Sequence, residues 1–429
     1  MAPAGFSKSV LMRKMCFLFR AFLATLCGLA MVAAMGCAAP NTAPPPAIGD
    51  GPHGTEPIGT VRQLYDGVLS PEMAVNTFRN IDRLFPTRKV ARSLTPKPLL
   101  PAATPLGSVS FDDNGKSYSL EDYLKLNRVA ALLVLKDDSV KLEMYRFGNT
   151  ENTRWMSMSI AKSITSTLIG AALKDGYISS LSDPVTRYVP SLAGSAYENV
   201  SVRDVLMMSS GARWNEAYTD RRSDRRRLLE AQISQVPGSA LAVIKSLERA
   251  AEPGTLNNYS TGETQVAAEI LRGAVKRPLA TYLSERIWSR YGMEADANWW
   301  LDSPDGVEIG GSGFSATLRD YGRFGLFFLN GGVAAGEAIL PAGWTHEATS
   351  PKMLRGGTPI AYGYLWWTGT TPDSRRDGAF AARGIHGQFL YVNPAAKVVI
   401  VVWGAQPKPT GGGVISDWAF CDAVVAALR

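Results

Sequence analysis

The chain has 429 residues, 46% of them apolar and 19% charged, with a formal charge of +7. That composition excludes a disordered or fibrous protein and leaves ample chain for a sizeable core. Part of the basic excess lies ahead of residue 21 and part in the run Arg221 to Arg227. No nucleic-acid reader motif or interleaved aromatics accompany that run, so no nucleic-acid partner is expected. The run itself reads as a solvated loop or helix face, or as an edge for acidic substrates or anionic lipid.

At the N-terminus, Lys8, Arg13, Lys14 and Arg20 precede the apolar stretch Ala21 to Met35. A charged start, a short apolar middle and small residues at the end make a secretory signal. The stretch is short for a membrane span. It closes on Ala34-Met35-Gly36-Cys37, which resembles a bacterial lipobox. The resemblance implies a lipid anchor on Cys37, after removal of the preceding residues, and a place in the periplasm or cell envelope. Plain signal-peptide cleavage is the alternative. Three of the four cysteines (Cys16, Cys27 and Cys37) belong to this segment, so the remaining Cys421 can form no disulfide within the exported domain. Residues 38 to 60 are rich in Pro, Gly, Ala and Thr and read as an extended tether. The folded domain is expected from 61 to 429.

Within it, a helical pattern covers 71 to 84 and a second Pro-rich stretch covers 95 to 105. Two strand-like runs, Val129 to Lys136 and Val140 to Phe147, flank Asp137-Asp138 and predict a hairpin. Ile160, Ile164, Leu168 and Ala171 recur at helical spacing, predicting a helix over 159–174. A mainly helical insert over about 175–310 follows, then a helix over Leu318 to Leu329. Strands are predicted at Tyr362 to Thr368, Gly387 to Val392 and Lys397 to Trp403, and a closing helix at Val414 to Leu428. The run Val398 to Trp403 is continuously apolar, as in a strand buried on both faces. Strands early and late with helices between predict an α/β (α+β) fold. Its antiparallel sheet is built from both chain ends and flanked by helices, with a cleft against the helical insert.

The chemistry starts with what is missing. The histidines are His53, His346 and His386, and neither a Gly-x-Ser-x-Gly elbow nor a His-Glu-x-x-His motif occurs. A Ser-His-Asp hydrolase and a zinc enzyme therefore lack support, and neither metal nor cofactor is expected. What is present is Ser159-Ile160-Ala161-Lys162. Residues three apart at a helix start share a face. Serine needs a nearby base, and lysine serves as one only if its pKa falls from about 10.4. The helix N-terminus supplies free N–H groups, and that of Ser159 can face an oxyanion. In Asn258-Tyr259-Ser260-Thr261-Gly262, Tyr259 is either a phenolate base made accessible by a lysine ammonium or a packed residue at a helix start. In Arg383-Gly384-Ile385-His386-Gly387, Gly384 lets a substrate lie close to the backbone, and the Ile385 N–H is the second candidate oxyanion donor. His386 reads as a substrate contact or as support for its own loop.

From about residue 65 to its end the chain resembles the superfamily of class C β-lactamases and D-amino-peptidases. The Ser159/Lys162 and Tyr259 motifs and the last strand edge occur in that family's order. Val202 to Gly211, Gly310 to Leu329 and Tyr362 to Trp367 resemble three further segments of it. The resemblance implies a β-lactamase/transpeptidase-like fold and an acyl-enzyme on Ser159, with Lys162 and Tyr259 handling protons. One departure is marked: Ala382-Arg383-Gly384 stands where β-lactamases carry Lys-Thr-Gly. The pattern Gly-Ile-His-Gly-Gln, with Asn76 to Pro86, is more similar to the 6-aminohexanoate-dimer hydrolase group. That similarity implies small esters or linear amides as substrates, with Tyr218 closing over them. The alternatives are action on β-lactams or cell-wall peptides, and a non-catalytic sensor domain. Oligomeric state is not legible.

Overall fold

The computed structural model describes residues 53–429; the export segment, Cys37 and most of the expected tether lie outside them. The end of that tether is a correction. Residues 53–60 dock on the helix Pro71–Phe78: the Gly59 N–H donates to Thr77 Oγ1 at 2.8 Å, and Asn76 Nδ2 donates to the Pro57 carbonyl at 3.1 Å. Arg79 Nη2 pairs with Glu56 at 2.6 Å. Composition alone gives no sign of these partners, which come from chain further on.

The hairpin forms as expected, with strands Val129–Lys136 and Ser139–Tyr145. Asp137 and Asp138 both take positive φ, 50° and 63°. Such a turn matches the strands' right-handed twist, and aspartate tolerates it better than bulkier residues. The hairpin joins a seven-stranded sheet. Across it the strands run Trp367–Thr368, Phe380–Gly384, Gln388–Asn393, Val398–Gly404, Val129–Lys136, Ser139–Tyr145 and Leu100–Pro101. All neighbours are antiparallel except the last pair, which is parallel. The two ends of the chain meet where Val398–Gly404 pairs with Val129–Lys136, Ile400 opposite Val134.

Side chains on these strands alternate between two separate cores. Leu133, Leu135, Leu390, Val392, Val399 and Val401 face one; Leu132, Val134, Phe389, Tyr391, Val398 and Ile400 face the other. The continuous apolar run is thus split between two buried faces. Helix Leu318–Leu329 covers the first face. It lies so close that a Cβ on Gly325 would sit 2.5 Å from Val399 Cγ1. Helix Asp417–Ala427 covers the second with Trp418, Phe420, Cys421 and Val424. Cys421 is buried there, and burial pushes its thiol pKa up, so it packs as a small apolar group.

The strand expected at Tyr362 to Thr368 is shorter: Trp367–Thr368 alone is a strand, with a single bridge from Tyr362 to Trp367. Leu365 takes φ 60°, and the carbonyls of Leu365 and Tyr364 accept hydrogen bonds from Ser163 and Ser166 at 2.7 and 2.6 Å. The polar face of the Ile160–Lys174 helix is buried and its hydroxyls need acceptors, which this turn supplies. The insert is mainly helical, but Ala297–Trp300 is a strand. It belongs to a four-stranded sheet with Thr87–Val90, Phe314–Ala316 and Trp155–Met156. The last of these strands leads directly to Ser159.

Candidate active site

Trp155–Met156 pairs with Ser315 and Ala316, and Ser157 bonds the Phe314 carbonyl through both N–H and Oγ, at 2.9 and 3.1 Å. Met158 then takes φ 49° while fully buried. Positive φ on a bulky residue turns the chain sharply and is held only by firm surroundings. Ser159 emerges from this turn at the N-terminus of the helix Ile160–Lys174.

One helical turn on, Lys162 Nζ lies 2.8 Å from Ser159 Oγ, 3.0 Å from Thr261 Oγ1 and 3.0 Å from the Gly311 carbonyl. Lys162 is 1% exposed, and desolvation pushes its pKa down to about 7. Glu216 opposes that shift and Arg225 adds to it. A lysine with that pKa is substantially neutral at neutral pH, so it can accept a proton.

Tyr259 sits just before the helix Thr261–Val275, whose start is capped by Ser260. It lines the same cleft as Ser159, and Lys162 Nζ stands 5.4 Å from its ring centroid. Trp367 at 5.3 Å and Tyr362 at 6.3 Å hold the ring. The expected phenolate is corrected here: desolvation pushes the phenol pKa up, more than Arg383 and Arg225 pull it down. Tyr259 therefore carries its proton at neutral pH and can donate it.

Glu216 was not found by sequence reasoning. It accepts from the Thr261 N–H at 2.8 Å and from Thr261 Oγ1 at 2.6 Å, so Lys162, Thr261 and Glu216 form a hydrogen-bonded chain. Glu216 lies 45 residues from Thr261 in sequence, and no motif spacing ties the two.

Gly384 closes the opposite wall. A Cβ there would lie 2.4 Å from the Ser157 carbonyl, so the strand end packs against the turn that carries Ser159. Among the described residues, the N–H groups of Ser159 and Ile385 have no acceptor. Both residues line one cleft of about 610 Å³, together with Glu216, Tyr218, Tyr259 and Arg383. Two amides facing an open cleft beside a serine hydroxyl can stabilise an oxyanion.

His386 does not join them. It takes φ 64°, which turns its ring away from the cleft. The ring is buried, bonds the Gln406 carbonyl through Nδ1 at 2.8 Å and meets Phe78 edge-on at 5.4 Å. Desolvation pushes its pKa down to about 4. It supports the loop and is not a substrate contact. Tyr218 does line the cleft, half-buried, its ring 6.2 Å from that of Tyr65.

The basic run is likewise corrected: it is not a solvated face throughout. Arg225 and Arg226 are buried. Arg225 hydrogen-bonds Tyr65, while Arg226 pairs with Asp66 at 2.6 Å and bonds the Tyr218 carbonyl at 3.1 Å. Arg221 also pairs with Asp66, at 2.8 Å. The run clamps the Tyr218 segment onto the helix Val61–Asp66. Among the described residues no three His, Cys, Asp or Glu side chains gather as a metal site.

The family model described as Beta-lactamase matches residues 125–419. The chain is 30% identical over 346 residues to a 6-aminohexanoate-dimer hydrolase of Paenarthrobacter ureafaciens, covering 77% of this chain and 85% of that protein. A Bacillus anthracis structure provisionally named a 6-aminohexanoate-dimer hydrolase superposes with a TM-score of 0.73 at 22% identity, covering 87% of this chain and 97% of that one. A family VIII carboxylesterase superposes with a TM-score of 0.55 at 16% identity, covering 70% and 91%. At these identities the structural likenesses speak to the fold: a mixed β-lactamase/transpeptidase architecture.

Proposed function

The chain belongs to the β-lactamase family of hydrolases, and within that family we propose that it cleaves small esters or linear amides through an acyl-enzyme on Ser159. The observation that carries this reading is the 2.8 Å contact between Ser159 Oγ and a buried lysine whose pKa is pushed down to about 7. Neutral Lys162 takes the Ser159 proton as Oγ attacks the carbonyl carbon. The N–H groups of Ser159 and Ile385 stabilise the oxyanion. Tyr259 gives its proton to the leaving group and recovers one from Lys162. Water then attacks the acyl ester, its proton returns through the same pair, and Ser159 leaves protonated.

Two features favour esters and linear amides over β-lactams. The strand end reads Ala382-Arg383-Gly384 where a β-lactamase carries Lys-Thr-Gly. The relative with 30% identity is named for a linear dimer. The second reading, a β-lactamase or D-amino-acid peptidase, draws on Arg383 as a cation on the same strand.

The test is hydrolysis of p-nitrophenyl butyrate beside nitrocefin, with Ser159→Ala as control. Ester turnover that is lost in Ser159→Ala, along with fluorophosphonate labelling, is expected. Equal labelling of variant and parent would sink the Ser159 assignment. Fast nitrocefin turnover would favour the β-lactamase reading.

A further inference from the structure

The backbone that carries Tyr259 is tied to one distant residue, Met208. Met208 is 1% exposed and takes φ 51°. A left-handed conformation on a bulky buried residue is strained and persists only where its surroundings hold it. In that conformation Met208 offers two acceptors to the Tyr259 segment. Its carbonyl accepts from the Asn258 N–H at 2.8 Å, and its thioether Sδ accepts from the Ser260 N–H at 3.3 Å. The residues on both sides of Tyr259 thus end on the same partner. Asn258 Nδ2 adds a bond to the Trp214 carbonyl at 3.0 Å.

Sulfur is a weak acceptor, and the reason a buried N–H is given to it lies in the helix start. A capping box has the residue three positions into the helix reach back to the N–H of the cap residue. That happens at Thr60, Ser119, Ser201 and Thr371. At Ser260 only half of the box forms. The Glu263 N–H donates to Ser260 Oγ at 3.1 Å, but Glu263 Oε1 is turned to Ser210, accepting from its N–H at 3.3 Å and from its hydroxyl. The Ser260 N–H is thereby deprived of its usual acceptor. Ser260 is 2% exposed, so water does not replace it. The Met208 sulfur does. An aliphatic side chain of the same size would leave that N–H unpaired with little change in packing.

Trp367 and Tyr362 flank the Tyr259 ring, at 5.3 and 6.3 Å, and limit its sideways movement. How far the ring extends into the cleft is set by its backbone. We propose that Met208 is a positioning residue: its sulfur, by holding the Ser260 N–H, fixes Tyr259 at the depth from which it protonates the leaving group. This rests on the reading of Tyr259 as that proton donor. The test compares kcat/KM for ethyl butyrate and p-nitrophenyl butyrate in the full chain, Met208→Leu, Met208→Gln and Tyr259→Phe. Active sites are counted by fluorophosphonate titration. Both esters give the same butyryl-enzyme, and kcat/KM reports its formation. p-Nitrophenolate leaves as an anion, whereas the ethyl leaving group needs a proton.

In Met208→Leu, kcat/KM for ethyl butyrate is expected to fall about 10-fold, and that for p-nitrophenyl butyrate by less than about twofold. Met208→Gln, which returns an acceptor, is expected to recover part of the loss. An equal fall for both esters in Met208→Leu is what loosened packing alone would give, and overturns the proposal; so does the same discrimination in Met208→Gln as in Met208→Leu. Tyr259→Phe is expected to discriminate between the esters at least as strongly as Met208→Leu. If it does not discriminate at all, the reading of Tyr259 has failed and the proposal with it. If it does and Met208→Leu does not, the Met208 proposal alone has failed. A second measurement needs no variant. The Ser260 amide of the parent is expected to exchange its hydrogen as slowly as amides within the helix Thr261–Val275. Exchange at the rate of an open loop overturns the proposal.

Discussion

Lys162 ends 2.8 Å from Ser159 Oγ in a site that water hardly reaches, and its low pKa follows from that burial. A base acts only when neutral. For a neutral ester, kcat/KM should therefore rise with pH below about 7, near tenfold per unit, and level off above it. Glu216 raises the Lys162 pKa, so Glu216→Gln should move this limb to lower pH. A limb that stays in place, or moves up, would mean that Glu216 is not coupled to the lysine. At this scale the sequence was partly legible. Ser159 and Lys162 share a helix face three residues apart, a spacing that can be read directly. Glu216 is brought to the lysine by its bonds to Thr261, contacts made by folding. For His386 the sequence left two roles open, substrate contact and loop support; a left-handed turn decides between them, and sequence does not announce that turn.

Among the elements, the hairpin, the Ser159 helix and the strand Val398–Gly404 were legible, because period and length identify them. The segment Tyr362 to Thr368 was not. Its aromatic residues look strand-forming, but the carbonyls of Tyr364 and Leu365 are claimed by hydroxyls of the Ser159 helix. The close seat of helix Leu318–Leu329 gives a test at this scale. Gly325→Val places methyls where Val399 and Leu390 already lie, at 2.5 and 3.1 Å from the new Cβ. Overpacking should cost about 1–3 kcal/mol, outweighing the better helix propensity of valine over glycine. Urea denaturation reads the change; a variant as stable as the parent would mean that the helix can lift from the sheet freely.

Across the whole molecule, the sheet built from both chain ends was legible in outline, as was the helical insert. The N-terminal boundary was not, since composition marks residues 53–60 as tether while their partners lie in the helix Pro71–Phe78 and at Arg79. A chain starting at residue 61 leaves Arg79, whose side chain is 6% exposed, without the Glu56 carboxylate. It should be less stable than a chain starting at 53 by about 1–3 kcal/mol, because Arg79 loses a charged partner but keeps its bonds to Asn76 and the Phe147 carbonyl. Equal melting temperatures for the two chains would return residues 53–60 to the tether. The basic run is understood at the same scale: it joins the Tyr218 segment of the cleft to the helix Val61–Asp66, so the N-terminal helix helps to hold the cleft wall.

The most direct test of the account is to trap the intermediate itself. Enzyme turning over p-nitrophenyl butyrate is quenched in acid and digested, and the butyryl group is located by mass spectrometry. The account predicts the adduct on Ser159, in the peptide Trp155 to Lys162, and none in Ser159→Ala. A butyryl group on any other residue, with turnover intact in Ser159→Ala, would contradict it.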